Sequence, residues 1–203
     1  MRLYHSPTTP FGRKVMVLIM ESGLIDRVEV IGAAGTPLAP GSMPLDRNPL
    51  GKIPVLETDD GTALFDSRVI CRYLDDLTGF GLYPSKPRLW DVLTLEATAD
   101  GILDAALLMT YEARVRPEDK RFPDWVDGQW AKIARALDMI EGSKIAALSG
   151  PLDMAQIALG CALAYLDFRH GVRNWREGRP NLSVWEAGFA LRPSMQATQP
   201  PAQ

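Results

Sequence analysis

Only two cysteines and two histidines occur among the 203 residues, and that scarcity removes several chemistries at once. Cys71 and Cys161 lie far apart, each inside a helical pattern, with no CxxC pair and no metal-ligand spacing. They read as small core residues, not as a disulfide framework or a metal site. His5 and His170 are too few to build a histidine metal cluster. His5 as a general base is open, against the commoner role of a structural or solvated strand-end residue. Charge of one sign is missing too. The net charge is −3 and the pI is near 5.4, with Lys and Arg scattered. No basic stripe of the kind nucleic acid demands is present. The longest apolar run near the start, Val15 to Met20, is far too short to span a bilayer and is not followed by a small-residue cleavage site. The expectation is a soluble cytoplasmic protein with no nucleic-acid or membrane partner.

What is present is a sizeable apolar fraction, 46% of the chain, enough to bury a core in one domain or two small ones. Leu3 to Ser6 and Val28 to Ile31 read as strands around a helix from Pro10 to Ser22, with Gly23 as its stop. Val55 to Asp59 and Thr62 to Phe65 flank Asp60-Gly61, a two-residue signal for a type I′ hairpin. A helix follows from Ser67, with the stripe Val69, Ile70, Tyr73, Leu74 and Leu77. Residues 1–78 thus form an α/β unit of four strands, parallel in the first pair and antiparallel in the last. Residues 79–87, rich in Gly and Pro, read as a linker. Residues 88–203 are all helical, with helices over 88–115, 123–142, 154–169 and 182–191. Asp153 and Gln156 are spaced as a capping box for the third of these, with Leu152 and Ile157 at staple positions.

Three short segments carry chemistry. Pro54 opens the run Pro54-Val55-Leu56, yet proline removes a ladder donor and belongs at a strand's first residue, an edge or a bulge. A cis bond before it would turn the N–H and C=O of Ile53 outward, free to pair with a peptide-like ligand. Thr9 precedes Pro10 as an N-cap, so free first-turn N–H groups face the strand end and favour an anion such as a thiolate. Arg13 and Lys14 add positive charge there, with two solvated side chains as the ordinary alternative. Asp66-Ser67 starts the next helix in the same way. It offers a carboxylate for an ammonium group and a hydroxyl with N–H groups for a carboxylate. Two helix starts and one exposed strand edge in a single unit fit a short acidic peptide held by its thiol, its main chain and its amino-acid end. On the first long helix, Asp100, Asp104, Leu107 and Tyr111 share a face. A solvated face is the commoner reading of those carboxylates.

Ser6-Pro7-Thr8-Thr9-Pro10-Phe11-Gly12-Arg13-Lys14-Val15, the run Asn48 to Leu56, Phe65-Asp66-Ser67-Arg68, the capping segment Asp153 to Gly160 and Arg179-Pro180-Asn181-Leu182 together resemble the glutathione transferases over nearly the whole chain. The resemblance implies a thioredoxin-like N-terminal domain joined to an all-helical one. It implies glutathione as co-substrate, no metal, a homodimer, and detoxification of a small hydrophobic electrophile. It further implies main-chain pairing of Ile53 beside a cis Pro54, γ-glutamyl binding by Asp66 and Ser67, and Lys52 at the glycyl carboxylate. Asp100 is implied as a contact across the dimer, and Tyr111, Leu108 and Arg114 as candidates for the electrophile pocket. No cysteine occupies position 9 or 12, where glutaredoxin-like relatives carry CPxC, so exchange through a protein thiol is opposed. No tyrosine stands at the strand end, which points to the serine/threonine-type bacterial branch, with Thr9 as thiolate donor and Ser6 as the alternative. A non-catalytic scaffold, or a glutathione-dependent isomerase or peroxidase on the same site, are the competing functions.

Overall fold

The computed structural model describes residues 1–202 and divides the chain into two compact units, Met1–Tyr83 with Pro193–Gln203, and Pro84–Arg192. The first contains β1 (Arg2–His5), α1 (Pro10–Glu21), β2 (Glu29–Gly32), β3 (Val55–Glu57), β4 (Ala63–Leu64) and α2 (Ser67–Thr78). Its sheet has the order β2-β1-β3-β4, with β1 parallel to β2, antiparallel to β3, and β3 antiparallel to β4. Leu3, Val55 and Leu56 from the sheet and Val15, Leu18, Ile19, Ile70 and Leu74 from α1 and α2 are fully buried. On α2 the buried face is narrower than the apolar stripe suggests, because Val69 and Leu77 lie on its flank and stay 48% and 42% exposed.

The β3–β4 connection differs from a two-residue type I′ turn. Thr58 N–H donates to Thr62 O at 2.9 Å, so the pair that closes the loop encloses three residues. Only Gly61 has positive φ, +85°. A type I′ turn needs positive φ at both central residues, whereas a three-residue loop needs one left-handed residue at its end. Asp60 Oδ1 selects the longer loop by accepting from Thr58 Oγ1 at 2.5 Å and Thr62 N at 3.0 Å.

Side-chain acceptors fix the segments that regular structure leaves open. Asp75 takes the amides of Gly81, Leu82 and Tyr83 at 2.8, 2.8 and 3.1 Å, so the Gly-rich stretch after α2 is pinned to that helix. Glu57, buried at the end of β3, receives Arg2 at 2.6 Å and Arg47 at 2.5 Å. The Arg47 hydrogen bond, with both charges, holds its carboxyl below the usual range.

The second unit holds α3 (Arg88–Arg114), α4 (Pro123–Met139), which runs on into a π turn at Ile140–Lys144, α5 (Met154–His170) and α6 (Pro180–Phe189). α3 packs on both α4 and α5, and α5 is buried from Met154 through Leu163. Asp153 caps α5 by accepting from Gln156 N at 3.1 Å. The reciprocal half of a capping box is absent. Gln156 Nε2 turns instead to the carbonyls of Leu148, at 3.1 Å, and Pro151, at 3.4 Å. No helix among the described residues is long and apolar enough to cross a membrane.

The last helix, α7 (Pro193–Ala197), belongs with the first unit and not with the helical one expected to run through residue 203. Arg13 decides this. It is 6% exposed and donates through Nη2 to Met195 O at 3.0 Å and through Nε to Thr198 Oγ1 at 3.2 Å, while Ser194 Oγ donates to Glu21 at 2.5 Å. Arg13 and Lys14 are therefore both buried, not solvated; Lys14 is 0% exposed. A buried guanidinium with two hydrogen bonds is sensitive to truncation, each such bond contributing about 1.5–3 kcal/mol. Arg13→Ala is expected to lower the denaturant midpoint of unfolding clearly, and an unchanged midpoint would show that the α1–α7 clasp carries no stability.

Candidate functional site

The sheet register brings three sequence-distant segments to one end. Tyr4 pairs with Val55 and Leu56 with Leu64. Continuing those ladders sets His5 and Ser6 opposite Pro54 and Ile53, and sets Asp66 opposite Pro54 from the other side. β1 and β4 both finish at this end and β3 begins there, so α1 and α2 both start there.

The main chain at the middle of this edge is unpaired. Ile53-Pro54 is a cis peptide, and neither the N–H nor the C=O of Ile53 has a hydrogen-bond partner among the described residues. The loop that presents it is built by Asn48, 2% exposed. Its Nδ2 donates to Lys52 O at 2.9 Å and its Oδ1 accepts from Leu50 N at 3.0 Å. Gly51, at φ +61°, supplies the left-handed residue the loop needs. Lys52 is exposed beside Ile53, and Pro54 is buried.

Thr9 occupies the N-cap position of α1 in extended conformation, with Pro10 as first helical residue. Its side chain makes no capping bond, and its hydroxyl has no hydrogen-bond partner among the described residues. Its amide is used by Ser6 O at 3.0 Å, and its carbonyl by Arg13 N at 3.0 Å. The amides of Phe11 and Gly12 remain free in the first turn, as at any helix start. Ser6 differs: its hydroxyl shares a hydrogen bond with Thr8 Oγ1 at 3.2 Å. Of the two hydroxyls, that of Thr9 is the uncommitted one.

Asp66 caps α2 by accepting from Arg68 N at 2.9 Å and pairs with Arg68 Nη2 at 3.2 Å. Partial burial pushes its pKa up, but the Arg68 amide and the Arg68 and Lys14 charges outweigh that and hold the carboxyl below its usual value. Ser67, the first residue of α2, is 3% exposed and its hydroxyl has no partner among the described residues. Asp100 and Tyr111 lie on α3 of the second unit. Asp100 is 4% exposed and engaged within its own chain, unlike the solvated face expected for it, while Asp104, Leu108 and Arg114 are exposed and Tyr111 half-buried. No cluster of metal-ligating side chains occurs among the described residues.

Two residues have roles here that the sequence did not assign them. Asn48 shapes the Ile53 loop, and its signal is the Asn-Pro-x-Gly pattern of a turn with an Asx acceptor. His5 is buried beneath the first turn of α1, and no local pattern marks it.

A four-stranded mixed sheet with two helices, followed by an all-helical region, defines the architecture as a thioredoxin-like domain with a helical C-terminal domain. Residues 8–77 match the family model for the glutathione S-transferase N-terminal domain, and residues 123–187 that for its C-terminal domain. The uncharacterized GST-like protein YibF of Escherichia coli (strain K12) is 35% identical, with 99% of each chain covered. A glutathione transferase family member from Pseudomonas fluorescens Pf-5, solved with bound glutathione, is 46% identical with a TM-score of 0.97 over 99% of both chains. A glutathione S-transferase from Methylobacillus flagellatus KT, also solved with glutathione, is 35% identical with a TM-score of 0.85, covering 98% of this chain and 99% of that one. This chain belongs to the glutathione S-transferase family.

Proposed function

We propose that the protein is a glutathione transferase, which binds glutathione at this sheet end, stabilises its thiolate and delivers it to a hydrophobic electrophile. The observation that carries the proposal is the unpaired main chain of Ile53 flanked by the starts of two helices. The cysteinyl N–H and C=O of glutathione complement the C=O and N–H of Ile53, as an added strand would. The γ-glutamyl carboxylate then meets the Ser67 hydroxyl and the free amides of α2, and its ammonium meets Asp66. Lys52 answers the glycyl carboxylate. The relatives from Pseudomonas fluorescens and Methylobacillus flagellatus were solved with glutathione bound, which supports the same ligand here.

The thiol falls at the start of α1. Its proton is lost to solvent, the sulfur anion accepts from the Thr9 hydroxyl and the first-turn amides, and its electron pair forms the S–C bond to the electrophile as the leaving group departs with its bonding pair or, in an addition, as the acceptor's π pair shifts to the neighbouring atom and takes up a proton from solvent. The protein contributes position and electrostatic stabilisation. A second complex of the Pseudomonas fluorescens protein holds S-(propanoic acid)-glutathione, a molecule with the S–C bond such a transfer makes.

A homodimer fits the same reading, supported by the uncovered apolar flank of α2 at Val69 and Leu77 and by Trp90, 57% exposed at the start of α3. Sedimentation at micromolar concentration is expected to give twice the protomer mass; a monomer would remove this part of the proposal. Asp66→Ala with Ser67→Ala is expected to weaken glutathione binding strongly, since hydrogen bonds to charged groups contribute about 1.5–3 kcal/mol each. Calorimetry reads this, and unchanged affinity would refute the γ-glutamyl assignment. Thr9→Val, which removes the hydroxyl at nearly constant shape, is expected to raise the pKa of bound glutathione in an ultraviolet thiolate titration and to slow turnover at neutral pH. If Thr9→Val titrates like the wild type while Ser6→Ala does not, Ser6 is the donor and Thr9 is not.

A further inference from the structure

Gly12 stands in the first turn of α1, and a Cβ built on it would lie 2.2 Å from His5 Nδ1, 2.9 Å from His5 Cε1 and 2.7 Å from Thr9 Cγ2. Real side chains do not approach so closely. The missing methyl is therefore a notch, entered from the sheet by the edge of the His5 ring and from the preceding turn by the Thr9 methyl. His5 is 9% exposed, and its Nδ1 is buried without a hydrogen-bond partner. Burial lowers its pKa to about 4, so the ring is neutral at physiological pH and can lie against a methyl group without carrying charge to the positive end of α1.

Thr9 is branched at Cβ, where methyl and hydroxyl occupy two of the staggered positions, so fixing one fixes the other. We propose that His5, seated over Gly12, is a positioning residue that grips the Thr9 methyl and thereby aims the Thr9 hydroxyl out of the core, at the sulfur of bound glutathione. This inference rests on the reading of Thr9 as thiolate donor. It assigns a purpose to three residues together: the glycine that makes room, the buried imidazole that needs no polar partner to do its work, and the threonine methyl. Its sharpest consequence is that serine is not equivalent to threonine at position 9, because serine keeps the hydroxyl but gives the notch nothing to hold.

The test is a double-mutant cycle on the full chain, read by the thiolate titration of bound glutathione alongside calorimetric affinity for glutathione. Thr9→Ser is expected to raise the thiolate pKa toward the Thr9→Val value while affinity is held, each unit upward meaning about tenfold less thiolate below the midpoint. His5→Ala is expected to raise it similarly in the wild-type background and to add nothing in the Thr9→Ser background, where no methyl remains to be held. A Thr9→Ser variant that titrates like the wild type overturns the inference by itself, even if His5→Ala does not fold; so do shifts that simply add in the double variant. An unmoved titration in Thr9→Val is a different failure, since it removes Thr9 as the thiolate donor and the proposal above with it.

Discussion

The arrangement at the candidate site depends on where the ladder between β1 and β3 stops. Tyr4 is paired with Val55, and the next position along β3 is Pro54, which has no N–H to donate. Beyond it the main chain of Ile53 is left with neither of its polar groups paired. An unpaired amide and carbonyl are costly when buried and useful when a ligand can reach them. Because β1 and β4 both end beside this point, α1 and α2 start around it, and helix starts are themselves rows of unpaired donors. The site is thus a place where three kinds of unfinished hydrogen bonding meet, and a small peptide with a thiol and two carboxylates can finish them.

Holding so many open groups in register requires rigidity elsewhere, and the structure supplies it with single side chains that each close several bonds. Asp75 gathers three consecutive amides after α2, Asn48 closes the loop under Ile53 from both ends, and Glu57 joins two arginines at the far end of β3. Arg13 ties α1 to α7, so the chain's last helix braces the one whose first turn faces the site. Multiply bonded side chains of this kind cost more to remove than a mean hydrogen bond suggests, since every partner is left unsatisfied at once. They also leave the Thr9 hydroxyl out of the network. The Thr9 methyl and the His5 ring both lie beside the Cα of Gly12, and the Thr9 hydroxyl makes no capping bond.

Local signals are the ones the sequence carries without help. The apolar run that opens β3, the Thr-Pro and Asp-Ser helix starts, Gly23 and the Gly-rich stretch from Gly79 after their helices, and Pro54 at the entry to a strand depend on neighbours a few positions away. Each can be read along the chain, and each appears in the structure. The type of the Thr58–Thr62 turn departs from the local signal because Asp-Gly satisfies two loop lengths, and an Asp60 carboxylate reaching both flanks decides between them. The Gln156 side chain departs from its local signal for a similar reason, because the carbonyls of Leu148 and Pro151 compete with its own cap.

By itself, then, the sequence determined the order and kind of the elements, the four-strand α/β unit before an all-helical one, and the short list of polar groups at helix starts, because those follow from backbone stereochemistry and spacing. Only the tertiary structure decided that α7 returns to the first unit, that Arg13 and Lys14 are buried, and that His5, Thr9 and Gly12 share one notch. These outcomes turn on contacts between positions far apart in the chain or on ångström-scale space beside a single Cα. Neither a residue's type nor its period along the sequence encodes what fills that space.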